Sequence, residues 1–215
     1  MSNCTWVFGE TSDFSKTILK KLKDRADPIK VFGRKNISYD KPAIEQLDFN
    51  NLPNRIIINI KLDALRQTSE ESNFECWENN IHIIEFISDL LNQCKKSKKD
   101  ITVVYITSSV TIIESMKEED FYKWKKYIAI RHMQQAMWSA YDRKHLKVLA
   151  ISPSNLTNSN KQDYAKRIVN IVYNPPKRRK CILDLSGAGE WRSLYIIDNI
   201  HYSVDTADVR YGIDK

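Results

Sequence analysis

Apolar residues fall along this chain in two alternating patterns. Short, nearly continuous apolar or β-branched runs occupy positions 5–8, 29–32, 37–39, 56–60, 101–106, 146–151 and 181–185. Longer stretches, 14–22, 42–49, 76–91, 121–141 and 162–173, space their apolar residues three and four apart. The first pattern predicts strands buried on both faces, and the second predicts amphipathic helices. Their alternation predicts parallel strands joined by helical crossovers: a doubly wound α/β fold of three layers, helices on each side of one sheet. The path from the run at 29–32 to the run at 37–39 leaves no room for a crossover helix, so either that helix is deleted or 37–39 is a loop. Residues 191–215, rich in aromatics, read as about one strand and a tail.

Length and composition add bounds to this picture. A chain of 215 residues supports one well-buried core, and a single domain over 1–215 is expected. No apolar run approaches the ~18–20 residues of a membrane span, and the polar N-terminus does not lead into an apolar signal core. A cytoplasmic protein without membrane contact is expected. The cysteines at 4, 76, 94 and 181 form no close pair, and the four histidines show no ligand spacing, so no metal site is expected. The net charge of +7 comes in short Lys/Arg runs, as at 20–21, 95–99, 123–126 and 177–180. Most of these stand where helices end or loops run, positions that solvent and the helix dipole favour, with attraction for an anionic ligand as the second reading. No nucleic-acid-binding signature accompanies them, so nucleic acid is not an expected partner.

Candidate chemistry begins at the first strand. The run Thr5-Trp6-Val7-Phe8 enters Gly9-Glu10-Thr11-Ser12-Asp13-Phe14-Ser15 and then a helical pattern. A strand feeding a helix through a glycine turn aims backbone N–H groups and the positive end of a helix at one point, which favours a phosphate. Gly9, Thr11, Ser12, Asp13 and Phe14 are therefore candidate cofactor-binding positions. A dinucleotide fingerprint carries three glycines; here the second and third positions read Asp13 and Ser15. Gly33-Arg34 closes the second run, where a guanidinium suits a 2′-phosphate. Tyr122 and Lys126 stand four apart, so on a helix they share a face and the ammonium can lower the phenol pKa toward a useful range. Tyr127 with Arg131 is the competing register. Ser108-Ser109 follows a buried strand at the end where open α/β sheets hold ligands, although such hydroxyls also cap turns.

Taken in order, these segments resemble the short-chain dehydrogenase/reductase family over about residues 5–189, leaving 190–215 as a C-terminal extension. The likeness is carried by the glycine turn, by Val103-Val104-Tyr105-Ile106-Thr107-Ser108-Ser109, by the Tyr122 and Lys126 pair, and by Lys147-Val148-Leu149-Ala150-Ile151-Ser152-Pro153-Ser154. Ser109 precedes Tyr122, and Pro153 follows it, at about the family's intervals. The resemblance implies a Rossmann-type fold and an NADP- or NAD-dependent oxidoreductase acting on a carbonyl/alcohol centre of a small-molecule substrate. It implies Tyr122 as acid/base, Lys126 as its partner on the ribose, Ser109 as the group that binds the substrate oxygen, and Asn80 as support for a proton relay. It also implies cofactor contacts at Arg34, at Asp40 near the adenine, at Asn59, at Pro153 and at Thr157, with the Arg pointing to NADP. The family pairs through two long helices, here 76–91 and 121–141, so a homo-oligomer is expected. The rival expectation, resting on Asp13, Ser15, Lys61-Leu62 and Ser154 where the family pattern is broken, is a Rossmann scaffold that has lost catalysis and serves in binding or structure.

Overall fold

The computed structural model describes residues 3–33, 43–60, 70–106, 145–153, 156–175, 180–185, 191–197 and 200–204. Eight strands form one sheet: β1 (Thr5–Phe8), β2 (Ile29–Phe32), β3 (Arg55–Ile58), β4 (Ile101–Ile106), β5 (Leu146–Pro153), β6 (Lys180–Leu185), β7 (Trp191–Ile197) and β8 (Ile200–Val204). Their order is β2-β1-β3-β4-β5-β6-β7-β8. The first six are parallel, as the two-sided burial of β1, β3 and β4 demands. The last two are antiparallel, β7 to β6 and β8 to β7. Residues 191–197 and 200–204 thus extend the sheet by two antiparallel strands where the sequence pattern predicted about one strand and a tail. The sheet is mixed at that edge, since a short connection can return a strand only antiparallel.

Successive residues of a strand face opposite sides, and the core divides accordingly. On one face Trp6, Phe8, Ile56, Ile58, Val103, Tyr105 and Val148 pack against α2 (Glu70–Lys96) through Ile83, Phe86, Ile87, Leu90, Leu91 and Cys94. On the other, Val7, Ile57, Val104 and Leu149 pack against α1 (Asp13–Lys23) and α3 (Lys161–Tyr173). The buried apolar positions of α1, Phe14, Ile18 and Leu22, recur every four residues, so one stripe faces the sheet. Ser12 caps that helix by accepting a hydrogen bond from the Ser15 N–H at 3.0 Å.

Two predicted elements differ from what forms. Over the described part of the predicted helix 42–49, residues 43–49, no α-helix forms; two 3₁₀ turns, Ala43–Gln46 and Phe49–Asn51, stand there instead. Asp48 interrupts the segment, because its carboxylate accepts from the Asn50 N–H at 3.1 Å and from Asn51 Nδ2 at 2.7 Å. The Asn51 amide, with backbone N–H groups of Asn50 and Asn51, holds the Asp48 carboxyl below its ordinary range against the opposing effect of desolvation. The helix predicted over 76–91 runs longer, from Glu70 to Lys96. The run at 37–39 and the helix at 121–141 lie outside the described residues.

At the N-terminal end of the sheet, Arg55 Nη1 donates to Asp27 Oδ2 at 2.9 Å, and its guanidinium lies 4.1 Å from the Tyr173 ring centroid. Arg25 sits 5.0 Å from the same ring and donates to Asn170 Oδ1 at 3.1 Å. These contacts tie the C-terminal end of α3 to β3 and to the loop after α1. Burial pushes the Tyr173 phenol up from its usual pKa, with Asp27 acting in the same direction.

Candidate functional site

The chain leaves β1 for β2 on one side and returns to β3 on the other. The C-terminal ends of β1 and β3 are therefore the switch point where an open α/β sheet holds its ligand. Three residues lie side by side at this edge. Gly9 follows β1 and donates its N–H to Phe32 O at 2.9 Å; Asn59 follows β3 and donates to Phe8 O at 2.9 Å; Gly33 follows β2.

Gly9 has φ +92°, a region that L side chains rarely adopt, and a Cβ there would stand 2.3 Å from the Asn59 carbonyl oxygen. The turn thus requires glycine for its torsion and for the close approach of β3. Past it, Ser15 occupies the place of the last fingerprint glycine and is fully buried. Its hydroxyl donates to Gly9 O and accepts from Asn59 Nδ2 at 2.6 Å and from Ser12 Oγ at 2.9 Å. Asn59 Nδ2 also donates to Ser12 Oγ at 3.2 Å. The three polar side chains knot the turn, the first turn of α1 and the end of β3 together.

Asp13 begins α1 with a side chain 82% exposed, its carboxylate 3.5 Å from Lys16 Nζ. A carboxylate here offsets part of the positive field at the helix start, the field that would draw a phosphate. Phe14 is buried in the core shared with Ile18 and Leu22, so only its backbone can face a ligand. Thr11 is exposed. Glu10 turns toward β2: a Cβ added to buried Gly33 would lie 2.6 Å from Glu10 Cγ and 2.6 Å from Oε1.

Of the positions singled out from sequence, Gly9, Ser12 and Asn59 come together at this edge. Pro153 is the last residue of β5, paired in register with Leu185. Thr157 lies in the turn before α3, where its N–H donates to Asn160 Oδ1 at 2.8 Å and its hydroxyl accepts from the Asn160 N–H at 3.3 Å. Its hydroxyl also meets Ser159 Oγ at 2.7 Å, so its described contacts build the start of that helix. Asn80 lies within α2, which is continuous through it. Ser109, Tyr122, Lys126, Arg34 and Asp40, with the competing Tyr127 and Arg131, lie outside the described residues. Sequence reasoning missed the use made of Ser15 and the position of Glu10. A small polar residue at the third fingerprint position was the available signal for Ser15; Glu10 had none, because its neighbour Gly33 is distant in the chain.

No known family profile matches the sequence, and no curated protein matches it. Solved structures do match in three dimensions. Serine dehydrogenase from Escherichia coli aligns with TM-score 0.61 at 11% identity, covering 87% of this chain and 99% of that one. A short-chain dehydrogenase/reductase from Vibrio parahaemolyticus aligns with TM-score 0.58 at 16% identity, over 84% and 99% of the two chains. UDP-N-acetylglucosamine 4-epimerase from Bacillus cereus aligns with TM-score 0.57 at 14% identity, over 86% and 79%. The fold is the Rossmann-like α/β fold of short-chain dehydrogenases/reductases, in a divergent sequence.

Proposed function

We propose, from this shared fold, that the chain is an NAD(P)-dependent oxidoreductase of the short-chain dehydrogenase/reductase type, acting on a carbonyl/alcohol centre of a small molecule. The observation that carries the reading is the glycine turn at the switch point, where Gly9 brings β1 and β3 within a distance that a single Cβ would obstruct. In this reading the backbone at the start of α1 would meet the pyrophosphate of a dinucleotide, and the end of β2 would meet its adenosine ribose. The bound nucleotide would supply or accept hydride. In this proposal Ser109 holds the substrate oxygen and Tyr122 gives or takes its proton. Lys126 stabilises the phenolate by its charge and holds the nicotinamide ribose, and Asn80 supports the relay that returns the proton to solvent. Arg34 is the group of this reading that would pair with a 2′-phosphate. The working form is a homo-oligomer in the cytoplasm, a location with which the free thiols of Cys4 and Cys94 agree.

Asp13 and Ser15 favour a second reading, a Rossmann scaffold without catalysis, because one places a carboxylate and the other a filled hydrogen-bond knot where glycines admit a pyrophosphate. One experiment separates the two: calorimetric titration with NADH and NADPH, followed by a carbonyl-reduction screen of wild type and Tyr122→Phe. Binding with turnover that falls at least ~100-fold in Tyr122→Phe supports the oxidoreductase. Binding of neither nucleotide supports the scaffold, and turnover that survives Tyr122→Phe but fails in Tyr127→Phe moves the acid/base to Tyr127.

A further inference from the structure

We infer that Glu10, reaching from the glycine turn over Gly33, is the residue that reads the 2′ position of the adenosine ribose, and that it selects the unphosphorylated diol, NAD(H), over NADP(H). The inference rests on the dinucleotide reading above and deepens it. In a sheet of this topology the ribose lies over the C-terminal end of β2, where a carboxylate accepts from free ribose hydroxyls and repels a 2′-phosphate. Residues 29–33 present no acid of their own at that end: the strand reads Ile29-Lys30-Val31-Phe32 and closes on Gly33.

The acid arrives from the neighbouring turn. Gly33 is buried, and a Cβ on it would stand 2.6 Å from both Cγ and Oε1 of Glu10, so the missing side chain of one residue is the seat of the other. Gly33 carries no positive torsion that would call for glycine on backbone grounds. The space over it is what glycine provides, and Glu10 fills that space. Gly9 fixes the direction of departure from β1, and the knot of Ser12, Ser15 and Asn59 holds the far side of the turn. Glu10 is therefore presented by a turn anchored at both ends. Arg34, next in sequence, lies outside the described residues, and the proposal assigns the discrimination to the Glu10 carboxylate seated over Gly33.

The test is calorimetric titration of wild type, Glu10→Gln and Glu10→Asp with NADH and with NADPH, with a thermal melt of each protein to confirm folding. Wild type is expected to bind NADH about tenfold or more tightly than NADPH, the scale of one charge-assisted contact. Glu10→Gln should shrink that ratio by about tenfold, chiefly by tightening NADPH, and Glu10→Asp, which withdraws the carboxylate from Gly33, should fall between. Tighter NADPH than NADH in wild type, or a ratio unmoved by Glu10→Gln, overturns the inference while leaving the dinucleotide reading intact. Binding of neither nucleotide overturns both.

Discussion

At the residue scale the turn after β1 has little tolerance, because torsion and contact constrain Gly9 separately. A Cβ at φ +92° is strained, and the same Cβ meets Asn59 O at 2.3 Å with no flexible atom able to yield. Gly9→Ala is expected to cost more than ~2 kcal/mol, lowering the thermal midpoint by several degrees in a melt monitored by circular dichroism. Ser15 tests the knot from the other side. Ser15→Ala removes the hydroxyl that serves Gly9 O and Asn59 Nδ2, leaving the partly buried Asn59 amide and the Gly9 carbonyl each with one partner fewer. A loss of ~1–2 kcal/mol in urea unfolding is expected, and a value near zero would mean that the knot is replaced by solvent without cost. Asp13 differs in kind, its exposed carboxylate lying 3.5 Å from the exposed Lys16 ammonium. Asp13→Asn should leave stability within about 1 kcal/mol and tighten nucleotide binding several-fold if a pyrophosphate docks at the start of α1. Unchanged affinity would place the phosphates elsewhere.

At the element scale α2 carries one face of the core. Its buried residues, Ile83, Phe86, Ile87, Leu90, Leu91 and Cys94, follow the three-and-four spacing of a single stripe, with Leu90 fully buried against the sheet. Leu90→Ala should destabilise by ~2–5 kcal/mol, the range for a leucine removed from a core that only partly collapses, and this is measurable by denaturant titration. The same helix carries a pH signature. Burial pushes the Cys94 thiol up to about 12 from an ordinary value of 9.0. The folded state therefore holds its proton more firmly than the unfolded chain. The stability this represents is present below pH 9 and is lost as pH rises from 9 toward 12. Wild type should lose stability faster over that interval than Cys94→Ala, compared as pH slopes so that other alkaline titrations cancel. Equal slopes would show that the thiol titrates as freely in the folded protein as in the unfolded chain.

At the scale of the whole molecule, six parallel strands with helices on both faces create the ligand edge, and the antiparallel pair of β7 and β8 lengthens the sheet on the side away from it. The opposite edge, β2, presents exposed Lys30, a charge that discourages pairing with another sheet. Association is therefore expected through helices rather than through strand addition at this edge. Ile81 on α2 is 49% exposed, a large apolar side chain that the sheet does not cover. Light scattering at micromolar concentration should report a dimer, and Ile81→Glu should shift it toward monomer if α2 forms the contact. A monomeric wild type would reject the oligomer.

Sequence and structure divide the account along the range of the interactions involved. The strands β1, β2 and β4 and the helices α1 and α3 were legible because their pattern is local: continuous apolar runs state two-sided burial, and apolar residues three and four apart state one buried face. Gly9 was legible for the same reason, since a strand, a glycine and an amphipathic helix in succession define the turn. The segment 42–49 misled because its apolar spacing is helical while Asp48 binds the backbone and side chain that follow it, a competition periodicity does not register. The seat of Glu10 had no local trace, and the knot had only the small polar residue at position 15. Asn59 reaches Ser15 across 44 residues, and Glu10 meets Gly33 because β1 and β2 pair in register. The sequence by itself determined which segments are buried, their periodicity and the position of the turn, because backbone geometry and burial act within a few residues. Only the tertiary structure decided that Ser15 closes the turn with Asn59 and that a carboxylate from β1's end lies over β2's, because those neighbours are made by strand pairing.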